Sequence, residues 1–419
     1  MRRFISSISV LVMSLFAGGA WADEVHPPEV ITVEEALRLL AEKSPWLATE
    51  RARVEVAAAE RVTAGMLPNP SLSYGGQRLV SGANTGSLSQ HQLVVEQPLL
   101  LFGQRGVRRD LADLNVRAEQ ARVGATFAER ALSVRAAFAD LLASQEELRI
   151  LEASQADLSH VEKVVQGRAS AGDTSRYDVE RIELETRALS VEAQNARTGI
   201  EDAAGRLAAL LGVPNWRPRA QGELRPSGPI PTLEHLWEEA QQRRPSLVAV
   251  RERQAAARGG LVLARRERLP VPSLAAGAVL TREENSVSVS FGLSLPLPLF
   301  DRNQGAISRA SAEVEAESRA LDAEVAEARA ELTRAYAVLE GRSGSLSSLE
   351  KDVVERLPTV RRMAEDGYRE GRGSILELLD AFRSLKDFRL LHLRQLQSVR
   401  LAEDSVLFAA GMDRLPTAQ

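Results

Sequence analysis

The sequence predicts a mainly α fold: long, coiled-coil-like helices in two tandem repeats, with four short β-strands set apart from them. Three observations carry this. Ala, Leu, Glu and Arg dominate, and aromatic residues make up only 4% of 419 residues, which favours long helices packed through small side chains over a compact aromatic core. Short motifs recur at an offset near 200 residues, the mark of a duplicated unit. The run "NSVSVSFGLSLPLPLF" alternates apolar with small or hydroxylated residues from Val287 to Leu295, a strand period inside an otherwise helical sequence.

At the N-terminus, Met1-Arg2-Arg3 precedes a short apolar stretch and Ala20-Trp21-Ala22. This reads as a signal peptide over residues 1–22, so the chain is expected to be exported and to begin at Asp23. No cysteine is present, which leaves neither a disulfide framework nor a thiol for a lipid anchor. No later stretch offers eighteen consecutive apolar residues, so any membrane crossing would have to use strands. The formal net charge is −4, and the basic residues are spread along the sequence, which argues against nucleic acid as the main partner.

The repeats set the domain plan. Thr32-Val33-Glu34-Glu35 matches Thr232-Leu233-Glu234-His235; Leu67-Pro68-Asn69-Pro70-Ser71-Leu72 matches Leu269-Pro270-Val271-Pro272-Ser273-Leu274; Gly172 matches Gly371. A first repeat is expected over 23–212, a Pro- and Gly-rich linker over 213–231, a second repeat over 232–412, and a tail over 413–419. Each repeat opens with a short helix after a Thr N-cap. A second helix starts at Pro45 or Pro245, where proline is tolerated in the first turn. It ends at the Leu-Pro-x-Pro element, because proline breaks the hydrogen-bond ladder. Two strands follow, about 71–80 and 88–97, then 273–281 and 286–295. Next come a very long helix (about 104–166 and 303–366), a glycine turn and a last helix (about 175–211 and 374–410). At 1.5 Å per residue the long helices span about 94 and 96 Å, and the second and last helices of each repeat add up to about 88 and 92 Å. Two shorter helices laid end to end therefore match one long one. A local break is expected at Gly341-Arg342-Ser343-Gly344, a run of poor helix formers.

Strands of nine or ten residues fit a tilted crossing of an outer membrane. They also fit an amphipathic strand lying on a soluble core. The expected export and the lack of an obvious globular core favour the membrane. Four strands cannot close a barrel, and open edges in lipid leave backbone groups unpaired. A small transmembrane β-barrel would therefore be closed only in a trimer, by twelve strands, above a long helical barrel.

With "GMLPNPSLSY", "EQPLLLFGQRG", "LPLPLFDRNQG" and "YREGRGSILELLDAF" in hand, the sequence resembles the TolC-like outer membrane factors, the exit ducts of tripartite efflux pumps and type I secretion systems. The likeness covers nearly the whole mature chain. Leu67-Pro68-Asn69-Pro70 and residues 298–305 are most similar to the cobalt-zinc-cadmium, or heavy-metal, branch. The resemblance implies a homotrimer in the outer membrane lipid with a large periplasmic portion. It also implies a periplasmic adaptor and an inner membrane RND-type pump as partners. It further implies a constricted gate at the turns between the long and last helices. Tyr368 falls on the family's gate tyrosine, and Asp178 on its hydrogen-bonding aspartate. Glu377 and Asp380 fall on two acidic positions that line the constriction. Gly172, Asp173, Gly371 and Gly373 would lie in adaptor-contacting turns. Glu377 and Asp380 stand at i and i+3 on one helical face, and threefold symmetry would turn them into carboxylate rings that favour cations. Read from the residues alone, they are equally ordinary solvated helix charges. The family often carries a basic residue two positions after the glycine. This chain has Gly373 there, so either neighbouring Arg372 substitutes or the closed state is held differently.

The histidines, His26, His91, His160, His235 and His392, are scattered without metal-ligand spacing, so no metal site or other cofactor is expected. No phosphate loop, nucleophile elbow or zinc-protease motif occurs, and no enzymatic activity is expected. The reading is an outer membrane efflux channel, with heavy-metal cations as the leading substrate. Drug efflux, type I protein secretion and, from a different class, an exported coiled-coil structural protein remain as alternatives.

Overall fold

The computed structural model describes residues 28–82, 89–226, 228, 231–282 and 285–412. The expected signal peptide and C-terminal tail, and parts of the linker and of the strand-joining loops, lie outside the described residues. The elements in order are β1 (Val30–Ile31), α1 (Val33–Lys43), α2 (Pro45–Ala64), β2 (Ser71–Arg78), β3 (Ser89–Pro98), α3 (Gln104–Ser170), α4 (Arg176–Leu211) and β4 (Arg219–Ala220). They continue with α5 (Leu233–Arg243), α6 (Pro245–Glu267), β5 (Ser273–Thr281), β6 (Ser286–Ser294), α7 (Gln304–Asp352), a 3₁₀ turn (Val354–Arg356), α8 (Leu357–Arg369) and α9 (Ile375–Ala410). The helix-helix-strand-strand-helix-helix order occurs twice.

The helices stand as a single layer. The 67-residue α3, about 100 Å long, packs beside α2 and α4 on one flank and beside α6 and α9 on the other, and α7 lies against α6 and α9. Small residues at the contacts allow this close approach: Ala112, Ala118, Ala137 and Ala143 of α3 and Ala402, Ala409 and Ala410 of α9 are buried. Gln104 and Gln304 start the long helices alike. Each side-chain oxygen accepts a backbone N–H two residues upstream, from Phe102 (3.1 Å) and Arg302 (2.7 Å). The metal-branch motif at 298–305 is therefore the turn that aims α7 away from the sheet.

The sheet has the order β2-β3-β5-β6 and is antiparallel throughout. Register places Tyr74, Leu93, Ala278 and Val289 in one row and Leu72, Val95, Ala276 and Phe291 in the next, all on one face. The other face carries rows such as Gly75-Gln92-Val279-Ser288. Ten large apolar side chains of these strands are exposed, Phe291 at 82%. Burial of each would be worth roughly 1.5–3 kcal/mol. Among the described residues no helix covers the apolar face.

Two expectations change. No break occurs at residues 341–344, where α7 runs straight through. Leu339 and Leu346 are buried on either side of that run, and their packing overrides the weak propensity of the glycines. The long helix instead breaks at Val353–Arg356, ahead of Pro358, which lacks an N–H and crowds the preceding turn. The linker is also more than a spacer. Its Arg219–Ala220 pairs in parallel with Val30–Ile31, the Gln145 side chain brackets Ala220 with two 2.8 Å hydrogen bonds, and the Trp216 indole donates to the Pro28 carbonyl. Two-residue strands carry no periodic signal, which hides them from sequence reading.

Candidate functional site

The end of the molecule opposite the sheet is built from two turns, one from each repeat. α3 turns into α4 through Gly172 and α8 into α9 through Gly371, with φ of 82° and 72°, a left-handed conformation that glycine adopts without the cost of a Cβ. The Asp173 N–H closes on the Arg168 carbonyl (2.9 Å), and the Arg372 and Gly373 N–H groups both reach the Gly367 carbonyl (2.9 Å each). Gly373 has a second constraint: a Cβ there would lie 3.3 Å from both the Gly367 backbone and the Glu377 carboxylate. A long basic side chain at this position would have to push its neighbours apart, which gives a local reason for the departure from the family pattern.

Asp178 and Glu377 occupy equivalent places. Each is the third residue of its helix and forms a capping box. Asp178 receives the Ser175 N–H (3.4 Å) and donates its own N–H to Ser175 Oγ (3.2 Å), and Glu377 does the same with Ser374 at 2.9 and 3.2 Å. Thr174 Oγ1 also donates to Asp178, at 2.6 Å. These carboxylates therefore hold helix N-termini, a role typically worth about 1 kcal/mol. Asp380 is exposed one turn on, opposite the face that buries Leu378, Leu379 and Phe382.

Tyr368 is buried at 5% exposure within a cluster that includes Val165, Ile182, Ile375 and Phe382. This cluster fuses the two hairpins. The Tyr368 hydroxyl has no hydrogen-bond partner among the described residues, and Asp178 is engaged elsewhere, so the structure does not bring these two together. Arg372 pairs with adjacent Glu370 and contacts none of the predicted acids. Arg168 instead reaches across: its guanidinium stacks over the Tyr368 ring at 5.1 Å and donates to the Tyr368 carbonyl at 2.8 Å.

Sequence reasoning missed Arg168 and a ladder of ion pairs above it. Arg361 of α8 is bidentate to Asp157 of α3 (2.9 and 3.0 Å) and also binds Glu365 (2.7 Å). Arg383 of α9 grips Glu185 of α4 with both nitrogens, Nε at 2.7 Å, and Lys386 reaches Glu192 at 2.8 Å. Hydrogen bonding from Arg383 outweighs burial and lowers the Glu185 pKa below the ordinary carboxylate value. The Asp157, Glu185 and Glu192 rungs each join one repeat to the other. The only signal in the sequence is opposite charge near the 200-residue offset, as in Glu185 and Arg383. Among the described residues no group of three His, Asp or Glu is placed to hold a metal ion.

Comparison with known proteins agrees with this geometry. Residues 236–412 match the family described as Outer membrane efflux protein. The chain is 28% identical to the cobalt-zinc-cadmium resistance protein CzcC of Cupriavidus metallidurans, covering 87% of this chain and 86% of that protein. It is 27% identical to the protein CyaE of Bordetella pertussis, over 90% and 83%. A crystal structure of CusC, described in terms of transmembrane channel formation, superposes with a TM-score of 0.71 at 19% identity, covering 91% of this chain and 92% of that one.

Proposed function

We propose, from the match of residues 236–412 to the outer membrane efflux protein family, that the chain is the outer membrane exit duct of a tripartite efflux pump, conducting heavy-metal cations passively out of the cell. The observation that carries the duct is the four-stranded sheet. One face is apolar and uncovered, its outer strands β2 and β6 have open edges, and it stands on a helix layer about 100 Å long. Such edges are satisfied in lipid only by further strands. Three copies give a twelve-stranded barrel whose small, polar face lines the lumen. The helix layers close below it into a periplasmic tunnel. An inner membrane pump supplies the energy through a periplasmic adaptor that meets the Gly172–Asp173 and Gly371–Gly373 turns.

Heavy-metal cargo is supported by the likeness to CzcC and by the uncapped acid at the tip. Asp380, with Glu377 beside it, forms a carboxylate ring in a trimer and favours cations. Asp178, Tyr368 and Arg372 hold the tip from behind the ring. Single-channel recording of the mature chain in planar bilayers tests this. Discrete, cation-selective openings are expected, with selectivity reduced in the E377Q/D380N variant. Anion-selective current, or selectivity unmoved by the variant, would remove the acidic ring, and a chain that stays in solution without detergent would remove the duct.

A further inference from the structure

We infer that the junction between sheet and helices is a clamp for anionic phospholipid headgroups of the leaflet that faces the helices. This rests on the outer membrane reading above and adds the lipid class. Although the whole chain is acidic, the segments flanking the four crossings from sheet to helix (residues 60–66, 102–110, 261–269 and 300–309) hold nine arginines and four carboxylates, a net of +5 against −4 for the whole chain. The arginines are scattered in the sequence, and the fold collects them at one level.

Directly above this level lies an exposed apolar belt. Leu67, Leu101, Leu297, Leu299 and Phe300 are each more than 60% exposed, Phe300 at 93%, and the belt continues the apolar face of the sheet. An apolar band ending in a row of cations is the arrangement that holds a membrane boundary, with methylenes against the belt and phosphates against the cations.

Four of the arginines have charge to spare. Arg108 pairs with Glu267 and Arg61 with Asp113, but Arg109, Arg265, Arg268 and Arg302 are exposed and make no ion pair or side-chain hydrogen bond within the described residues. Arg268 and Arg302 share the rim of an open groove of about 910 Å³ that runs over Ile307, Ser308 and Ser311. At 100° per residue these serines face away from Glu313 and Glu317, which line a different groove together with α2, α3 and α6. Glu313 and Glu317 thus lie on the side shared by four helices, whereas Glu315 lines the arginine groove, where its carboxylate is paired with Arg319 at 2.9 Å. Two guanidiniums over an apolar-floored groove suit a phosphodiester with its acyl chains running up to Phe300.

The test uses full-length mature protein in detergent, incubated with an equimolar mixture of phosphatidylglycerol and phosphatidylethanolamine, with retained lipid counted by native mass spectrometry and channel current measured on the same preparation. Wild type is expected to retain phosphatidylglycerol in excess. Each basic residue near an anionic surface is worth roughly fivefold, so R109Q/R265Q/R268Q/R302Q should abolish the preference. The corresponding four-lysine variant should keep it, which separates charge from folding. Equal retention of the two lipids by conducting wild-type protein overturns the clamp and leaves the duct standing, as does an undiminished preference in the conducting glutamine variant. Absence of current and of retained lipid in wild type would overturn the duct and the clamp together.

Discussion

The two repeats build the same long element in different ways. In the first, α3 runs unbroken for 67 residues; in the second, the same length is divided into the 49-residue α7 and the 13-residue α8 by the 3₁₀ turn Val354–Arg356. Where the second repeat has Pro358, the first has Ser159. Below the break, α8 and the start of α9 form a hairpin whose continuous connection to the rest of its own repeat runs through α9 alone. Arg361, Tyr368, Arg383 and Lys386 secure it to the other repeat as well. The unbroken repeat is a post, and the broken one is a leaf clamped against it. If the tip is the gate proposed above, one rigid and one releasable part would let it both seal and open.

The sharpest way to break this comparison is to release the clamp. In D157N/E185Q/E192Q the hairpin loses its charge-assisted ties in every protomer. Each such tie contributes at most about 1.5–3 kcal/mol, less where solvent screens it, so the open population should rise by an order of magnitude or more. Limited proteolysis in the α8–α9 turn reports the same release. Next in size is P358A. Pro358 stands in the first turn of α8, where it is tolerated, but inside a continuous helix it would cost about 3 kcal/mol; without that cost the second repeat should approach the first. Slower amide exchange at residues 353–357 is the expected result, and unchanged exchange would place the break in something other than the proline. The R168Q variant loses both the stacking on Tyr368 and the carbonyl contact, and should loosen the tip without affecting membrane insertion.

Acid should act on the clamp with a definite sign. Because Arg383 lowers the Glu185 pKa, the pair contributes fully above the ordinary carboxylate range and fades as pH falls through the lowered value. Thermal stability of wild type should therefore fall in acid more steeply than that of E185Q, and parallel curves would discard the pair as a stabilising element. The smallest effect is expected from G341A/G344A, where α7 is already continuous: a gain of about 1 kcal/mol per residue, with no change in conduction.

Much of this architecture was legible in the sequence, because the repeat offset, the Leu-Pro-x-Pro stops and the Val287–Leu295 alternation each follow from local backbone rules. The helix break was not. Propensity pointed to Gly341 and Gly344, but Leu339 and Leu346 pack on either side and hold the helix, while Pro358 sat unremarked in a charged stretch. At the tip, Gly172 and Gly371 could be recognised by type, and Asp178 and Glu377 fit a capping pattern as well as a gate. Arg168 and the Glu185–Arg383 rung arise from contacts some 200 residues apart. No periodicity encodes such pairs, because they depend on how one repeat is laid against the other.

The most direct measurement is single-channel current from wild type and from D157N/E185Q/E192Q in the same bilayer at neutral pH. The account predicts low, rarely open conductance in wild type and frequent, larger openings in the variant. Identical currents from the two would contradict a clamped leaf, and no current from either would contradict a duct.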